Sequence, residues 1–232
     1  SAAVPVLSKF NNLTATSGDA PVALVAPSSP SAGAFTYASS NPAVATISGS
    51  TVTVVGAGTT TITATQAANG NYASAQITAQ LSVAAAVPVL ANFSDLNATF
   101  GDAPVALVAP NSPSAGAFTY SSSNPAVATI SGNLVTFVGA GSATITATQA
   151  ASGNYATAQI TAQVQVGVAA PTLSNFAALN ATFGDAPITL VAPTSNSAGT
   201  FTYASSNSDV ATISGNVVSI VGSGSSTITA SQ

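Results

Sequence analysis

The chain contains no cysteine, methionine, tryptophan, histidine, arginine or glutamate, and its one lysine is Lys9. Without cysteine there is no disulfide framework and no thiolate metal site. Serines abound, but with no histidine or glutamate to act as a positioned base they have nothing to activate them. The chain is therefore not expected to be an enzyme. The acids are Asp19, Asp95, Asp102, Asp185 and Asp209, and charged residues make up 3% of the sequence, against about 25% in an ordinary soluble domain. A basic surface for nucleic acid is absent. No signal peptide is recognisable, and no uninterrupted apolar run reaches the roughly 18 residues that a membrane-spanning helix needs. The surface must be built from Ser, Thr, Asn, Gln and Ala. Near-neutral surfaces associate readily, so copies of the same protein are the first partners to expect.

What is present is repetition. Ser39–Gly49 returns as Ser122–Gly132 and again as Ser205–Gly215, with a constant offset of 83 residues. The Gly-Asp-Ala-Pro turns holding Asp19, Asp102 and Asp185, and the Ile-Thr-Ala runs at Ile62, Ile145 and Ile228, keep that spacing. Such self-similarity overrides any estimate from length. A unit of 83 residues is too long for a solenoid coil or a propeller blade and close to the roughly 100 residues of an immunoglobulin-type sandwich. The expected domains are 1–83, 84–166 and 167–232. The third stops at Gln232, the counterpart of Gln66 and Gln149, before its last strand. Residues 1–3 align with Ala84-Ala85-Ala86, so the sequence reads as a window on a longer array.

Within one unit the pattern is strand and turn throughout. Val4–Leu7 alternates around Pro5 and predicts an edge strand, where proline is tolerated. Val22, Leu24 and Ala26 predict the next strand. Phe35-Thr36-Tyr37 places two aromatics on one face. These residues and their counterparts Phe118, Tyr120, Phe201 and Tyr203 are expected at the centre of the core. Short strands follow over Val44–Ile47, Thr51–Val55 and Thr60–Gln66. In the last strand, Ala75, Ile77, Ala79, Leu81 and Val83 alternate with Gln76, Thr78, Gln80 and Ser82. About seven short strands, with no helix-period segment, predict an all-β sandwich repeated in tandem.

Few residues could carry chemistry. Asp19, Asp102 and Asp185 are the acids present in every repeat. Calcium sites gather several carboxylates, so one Asp per unit points to a turn role, as do Asn41, Asn124 and Asn207 ahead of their short strands. No cofactor or metal is expected. Lys9 stands where the other repeats carry Asn92 and Asn175, so a Lys–Asn crosslink is not a property of the repeat. Asn12, Asn92, Asn97 and Asn180 open glycosylation-type triplets. Tyr72 and Tyr155 offer rings that either stack on a sugar or pack against the sandwich edge.

Gly18-Asp19-Ala20-Pro21, Ser39-Ser40-Asn41-Pro42-Ala43-Val44-Ala45-Thr46-Ile47, the run Val54–Ala64 and Gly70-Asn71-Tyr72 together resemble bacterial immunoglobulin-like repeats, group 2, of the invasin and intimin type. The resemblance covers the whole chain, with its last repeat truncated. It implies tandem modules of large surface or secreted proteins, used as spacers, stalks or adhesin segments, with no shared catalytic residues.

Taken together, these readings predict a non-catalytic extracellular structural repeat on the bacterial cell surface, forming a stalk or a self-associating fibre or sheath. The alternative is an adhesin module that binds carbohydrate or a host or neighbour-cell protein. The short joints Ala84–Val87 and Gly167–Ala170, each followed by proline (Pro88, Pro171), favour a stiff rod.

Overall fold

The longest hairpin of each of the first two repeats explains the rest of the repeat. In the computed structural model, which describes residues 1–232, β6 (Gly58–Gln66) and β7 (Ala75–Ala84) pair antiparallel from Gly58↔Val83 to Gln66↔Ala75. Side chains alternate across a strand, so one face of the hairpin collects Thr60, Ile62 and Ala64 with Ala79, Leu81 and Val83, all buried. Burying each of the larger ones contributes about 1.5–3 kcal/mol. Thr61, Gln76, Thr78 and Gln80 line the wetter face.

Around this hairpin lie β1 (Leu13–Thr16), β2 (Val22–Ala23), β3 (Phe35–Ser39), β4 (Ala45–Ser48) and β5 (Thr51–Val54). One sheet has the order β1-β7-β6-β3, with β1 parallel to β7, and the other the order β2-β5-β4. The inner faces meet in a cluster of Leu24, Val44, Ala45, Val52, Ile62, Leu81 and Val83. This is an immunoglobulin-like sandwich of seven strands.

The second repeat reproduces it with β8 (Leu96–Thr99), β9 (Val105–Ala106), β10 (Phe118–Ser122), β11 (Ala128–Ser131), β12 (Leu134–Phe137), β13 (Gly141–Gln149) and β14 (Ala158–Gly167). Its sheets are β10-β13-β14-β8 and β11-β12-β9. The third repeat holds β15 (Leu173–Ser174), β16 (Ile188–Thr189), β17 (Thr194–Ser195), β18 (Thr202–Ser205), β19 (Ala211–Ser214), β20 (Val217–Ile220) and β21 (Ile228–Ser231). Here β21 pairs with β18 alone, and the buried cluster shrinks to Leu190, Ala211 and Val218. Ile228 is only partly buried, whereas Ile62 and Ile145 are 0% exposed. The chain divides into two compact units, Ser1–Val168 and Ala169–Gln232. There is no helix, hence none long and apolar enough to cross a membrane.

Three local expectations are corrected. No strand forms over Val4–Leu7: Ala3 bridges Tyr72 and Ser8 bridges Ser28, while Pro5 is buried and Val4 and Val6 face out. Proline has no N–H to give a ladder, and Lys9 then turns the chain with a φ of 57°. The second strand is two residues long, Val22–Ala23; Leu24 is buried and its N donates to Ser50 O, while Val22 and Ala26 are exposed. The aromatics Phe35 and Tyr37 are half-buried rather than central. Their strand, β3, is the sheet's edge and pairs only with β6, so little covers it from the flank.

Candidate functional site: polar loop clusters and the joint

The repeated acids sit in tight turns. Asp19 Oδ2 accepts from Thr16 N at 2.7 Å while Asp19 N donates to Thr16 O at 3.0 Å, and Gly18 between them has a φ of 94°. Asp102 and Asp185 take the same bonds from Thr99 N (2.7 Å) and Thr182 N (2.8 Å). Asn41 Oδ1 accepts from Ala43 N at 3.1 Å, and Asn41 O accepts from Val44 N and Ala45 N, which starts the turn into β4. Asn124 and Asn207 accept in the same way from Ala126 N and Asp209 N. In the first repeat this turn is anchored from below. Buried Thr60 places Oγ1 2.8 Å from Ser39 Oγ, 3.2 Å from Ser40 Oγ and 3.0 Å from Asn41 N. The second repeat has Ala143 at that position and the third has Ser226.

Sequence reasoning passed over the most buried polar side chain. Gln66 ends β6 on its inward face at 1% exposure. Its Nε2 donates to Ser31 O and Gly33 O, at 3.0 and 2.9 Å, and its Oε1 accepts from Ser29 Oγ. Gln149 repeats the set with Ser112, Ser114 and Gly116, and Gln232 repeats it with Ser195, Ser197 and Gly199. A loop of Ser, Pro and Gly is thereby tied to the end of a strand. Gly33 is required there: a Cβ would lie 2.0 Å from Ala67 O. The signal was available, because Thr60, Ile62, Ala64 and Gln66 share one strand face.

Phe10, Phe35 and Tyr37 form a row beside the core, Tyr37 lying 6.1 Å from Phe10 and 6.4 Å from Phe35 between ring centroids. The other repeats match it with Phe93, Phe118 and Tyr120 and with Phe176, Phe201 and Tyr203. Burial pushes the Tyr37 and Tyr120 phenols above their ordinary value. Of the glycosylation-type positions, Asn12 is engaged, its Oδ1 accepting from Gln80 N at 2.8 Å, and Asp95 takes the same role toward Gln163 N. The loop tyrosines Tyr72 and Tyr155 are half-buried, each closing a tight turn through backbone bonds with Asn69 and Ser152.

The joint between the first two repeats is nearly free of slack. Ala84, the last residue of β7, accepts from Ser17 N at 2.8 Å. Two residues later Ala86 N donates to Asn154 O at 2.9 Å, and Ala86 O accepts from Ala156 N at 2.8 Å. Only Ala85 separates a bond into the first repeat from a bond into the second. Pro88, just beyond, is buried. In the third repeat an open groove of about 560 Å³, lined by Leu179, Phe183, Val218, Ile220 and Ile228 among others, lies beside β21.

The family model described as "Intimin, immunoglobulin-like domain" matches residues 27–68 and 111–151, one segment in each of the first two repeats. No curated protein sequence matches the chain. Among solved structures, the EC1-2 fragment of human protocadherin-24 is similar at 15% identity over 70% of this chain and 97% of that one, with a TM-score of 0.31. Cadherin domains 1–4 of protocadherin gamma B7 are 14% identical over 98% of this chain and 75% of theirs, TM-score 0.31. Domains 4 and 5 of the S-layer protein SbsC are 22% identical over 57% of this chain and 76% of theirs, TM-score 0.23.

Proposed function

We propose that this chain, whose first two repeats each contain a segment matching the intimin immunoglobulin-like domain, is a non-catalytic stalk segment of an extracellular surface protein, built from sandwich domains at 1–83, 84–166 and 167–232. Domains of this type are adhesin-related structural modules and are generally non-catalytic, which supports both the role and the location. The observation that carries the stalk reading is the joint. With one residue between anchored bonds, the connection has almost no conformational freedom of the kind that lets a flexible linker bend. Asp19, Asn41 and their counterparts act in this reading as turn formers, the Gln66 set as a loop tie, and the aromatic rows as the flank of each core. The test is negative-stain microscopy with sedimentation velocity on the chain. Elongated particles of constant curvature support a stalk; beads bending freely at Ala85 overturn it.

A self-associating fibre or sheath is the second reading, and a specific pattern favours it. Val6 and Val89, at one repeat position, are each 81% exposed, and Val25, Val108 and Val191, at another, are 81–84% exposed. Apolar side chains recurring in the open on a chain with only 3% charged residues offer neighbouring copies contact with little repulsion. Concentration-dependent sedimentation that is abolished by Val25→Lys and Val108→Lys together supports this reading. Sedimentation as a monomer at every concentration sinks it and leaves an isolated stalk or a carbohydrate- or protein-binding adhesin module.

A further inference from the structure

The loop that makes the joint also sends a side chain across it. Asn154 lies in the second repeat, in the tight turn Ser152–Tyr155, where Gly153 has a φ of 55°. Its Oδ1 accepts from Ala57 N at 3.0 Å and its Nδ2 donates to Val55 O at 3.3 Å, both in the β5–β6 turn of the first repeat. One amide thus satisfies one donor and one acceptor of a backbone turn that has no side-chain signature. Gly56, between those two contacts, leaves the room: a Cβ there would lie 3.0 Å from Asn154 Oδ1 and 2.9 Å from Ala43 O.

Both halves of this contact exist in each of the first two repeats. Asn71 stands in the same turn as Asn154, with Gly70 at a φ of 56° and the same pair of 3.0 Å bonds between Asn69 and Tyr72. Ala3 is bonded to that loop as Ala86 is bonded to the loop of Asn154. The receiving turn recurs as Val138-Gly139-Ala140-Gly141, with φ values of 138° at Gly58 and 140° at Gly141. We infer that each repeat carries an end-to-end docking pair, an Asn plug in the Gly-Asn-Tyr loop at one end and a Val-Gly-Ala turn as socket at the other, and that the partner each end fits is another repeat of this type. Asn71 is a plug for the Val-Gly turn of such a repeat, and Val138–Ala140 is a socket for its Asn. The inference rests on the stalk reading and deepens it: the plug fixes the angle between successive repeats, where small inter-domain contacts alone would leave them free to swing. The relation is head-to-tail, one end of a repeat meeting the opposite end of the next.

The absence of cysteine makes the test clean. Nitroxide labels on Ser48→Cys and Ser131→Cys, exposed and equivalent positions of the first two repeats, report the distance between those repeats by pulsed electron spin resonance on the whole chain. The unsubstituted joint gives a narrow distribution. Asn154→Ala broadens it about twofold, toward the swing of an untied domain pair. Asn154→Asp, which keeps an acceptor for Ala57 N–H but no donor for Val55 O, gives an intermediate width. Asn71→Ala, the same substitution away from this joint, leaves the width unchanged. Thermal melts of the variants matching the parent show that the domains themselves are intact. A narrow distribution that survives Asn154→Ala overturns the plug and leaves the stalk reading standing. A broad distribution before any substitution at Asn154 overturns both.

Discussion

Ser29 Oγ donates to Gln66 Oε1 at 2.6 Å, 37 residues apart in sequence, and with the two Nε2 bonds to Ser31 O and Gly33 O ties the Ser/Pro loop to an almost fully buried side chain on the inner face of β6. Its copies recur at Ser112–Gln149 and Ser195–Gln232. Gln149→Leu strands two carbonyl oxygens and a hydroxyl, and is expected to cost the second repeat about 2–4 kcal/mol in urea unfolding. Gln149→Glu adds a pH dependence. A carboxylate facing Ser114 O and Gly116 O is disfavoured, so its folded pKa rises above the unfolded value of about 4.3. The variant is then most stable below that pH and loses stability as pH rises through the interval between the two values. A flat profile refutes the argument.

The Thr60 anchor can be transplanted. Ala143→Thr places a hydroxyl where Ser122 Oγ, Ser123 Oγ and Asn124 N correspond to the groups that meet Thr60 Oγ1. Added stability of about 1 kcal/mol in the second repeat is expected, with a similar loss in the first for Thr60→Ala. Calorimetry on both variants checks the pair.

Lys9, Asn92 and Asn175 occupy one position, with φ of 57°, 59° and 61°. Asparagine tolerates the left-handed region better than lysine does. Lys9→Asn should stabilise the first repeat by about 0.5–1 kcal/mol, although it removes the chain's only basic side chain. A fall in melting temperature would count against the backbone argument.

The parent chain should be insensitive to pH across the range in which histidine and cysteine ordinarily titrate, about 5 to 9, since it has neither. Its alkaline limb belongs to Tyr37 and Tyr120, whose phenols are raised from 10.0 by burial. The unfolded chain releases those protons first. Stability is therefore full below the unfolded value and declines as pH climbs through the interval up to the folded one. Tyr37→Phe and Tyr120→Phe together should flatten that limb in melts taken across pH 9 to 11, the region of the phenol's reference value near 10.

Most of the fold was legible because its signal is local. Alternation in β7 and β14, Gly-Asp turns and an unbroken 83-residue register each declare strand or turn within a few residues. What escaped lies at long range. Val4–Leu7 alternates like a strand, yet Pro5 withholds the N–H and Lys9 redirects the chain. Phe35 and Tyr37 have the bulk of core residues, but sheet order puts their strand at an edge, and order cannot be read from a run of five residues. Gln66 looks like the polar end of a strand until the loop closes on it. Asn154 was hardest, since its target is 97 residues away and consists of backbone groups that every sequence has.

The parallel pairing of β1 with β7, from Leu13↔Leu81 to Thr16↔Ala84, also decides how the protein answers a pull. Tension on a tethered chain draws the start of β1 one way and the end of β7 the other. The two strands point the same way, so the rungs between them are loaded side by side in shear and must rupture together; they cannot be unzipped singly. The second repeat has the same arrangement from Leu96↔Val164 to Thr99↔Gly167. Under an optical trap each of these two sandwiches should hold until its rungs fail in one step, like bolted plates.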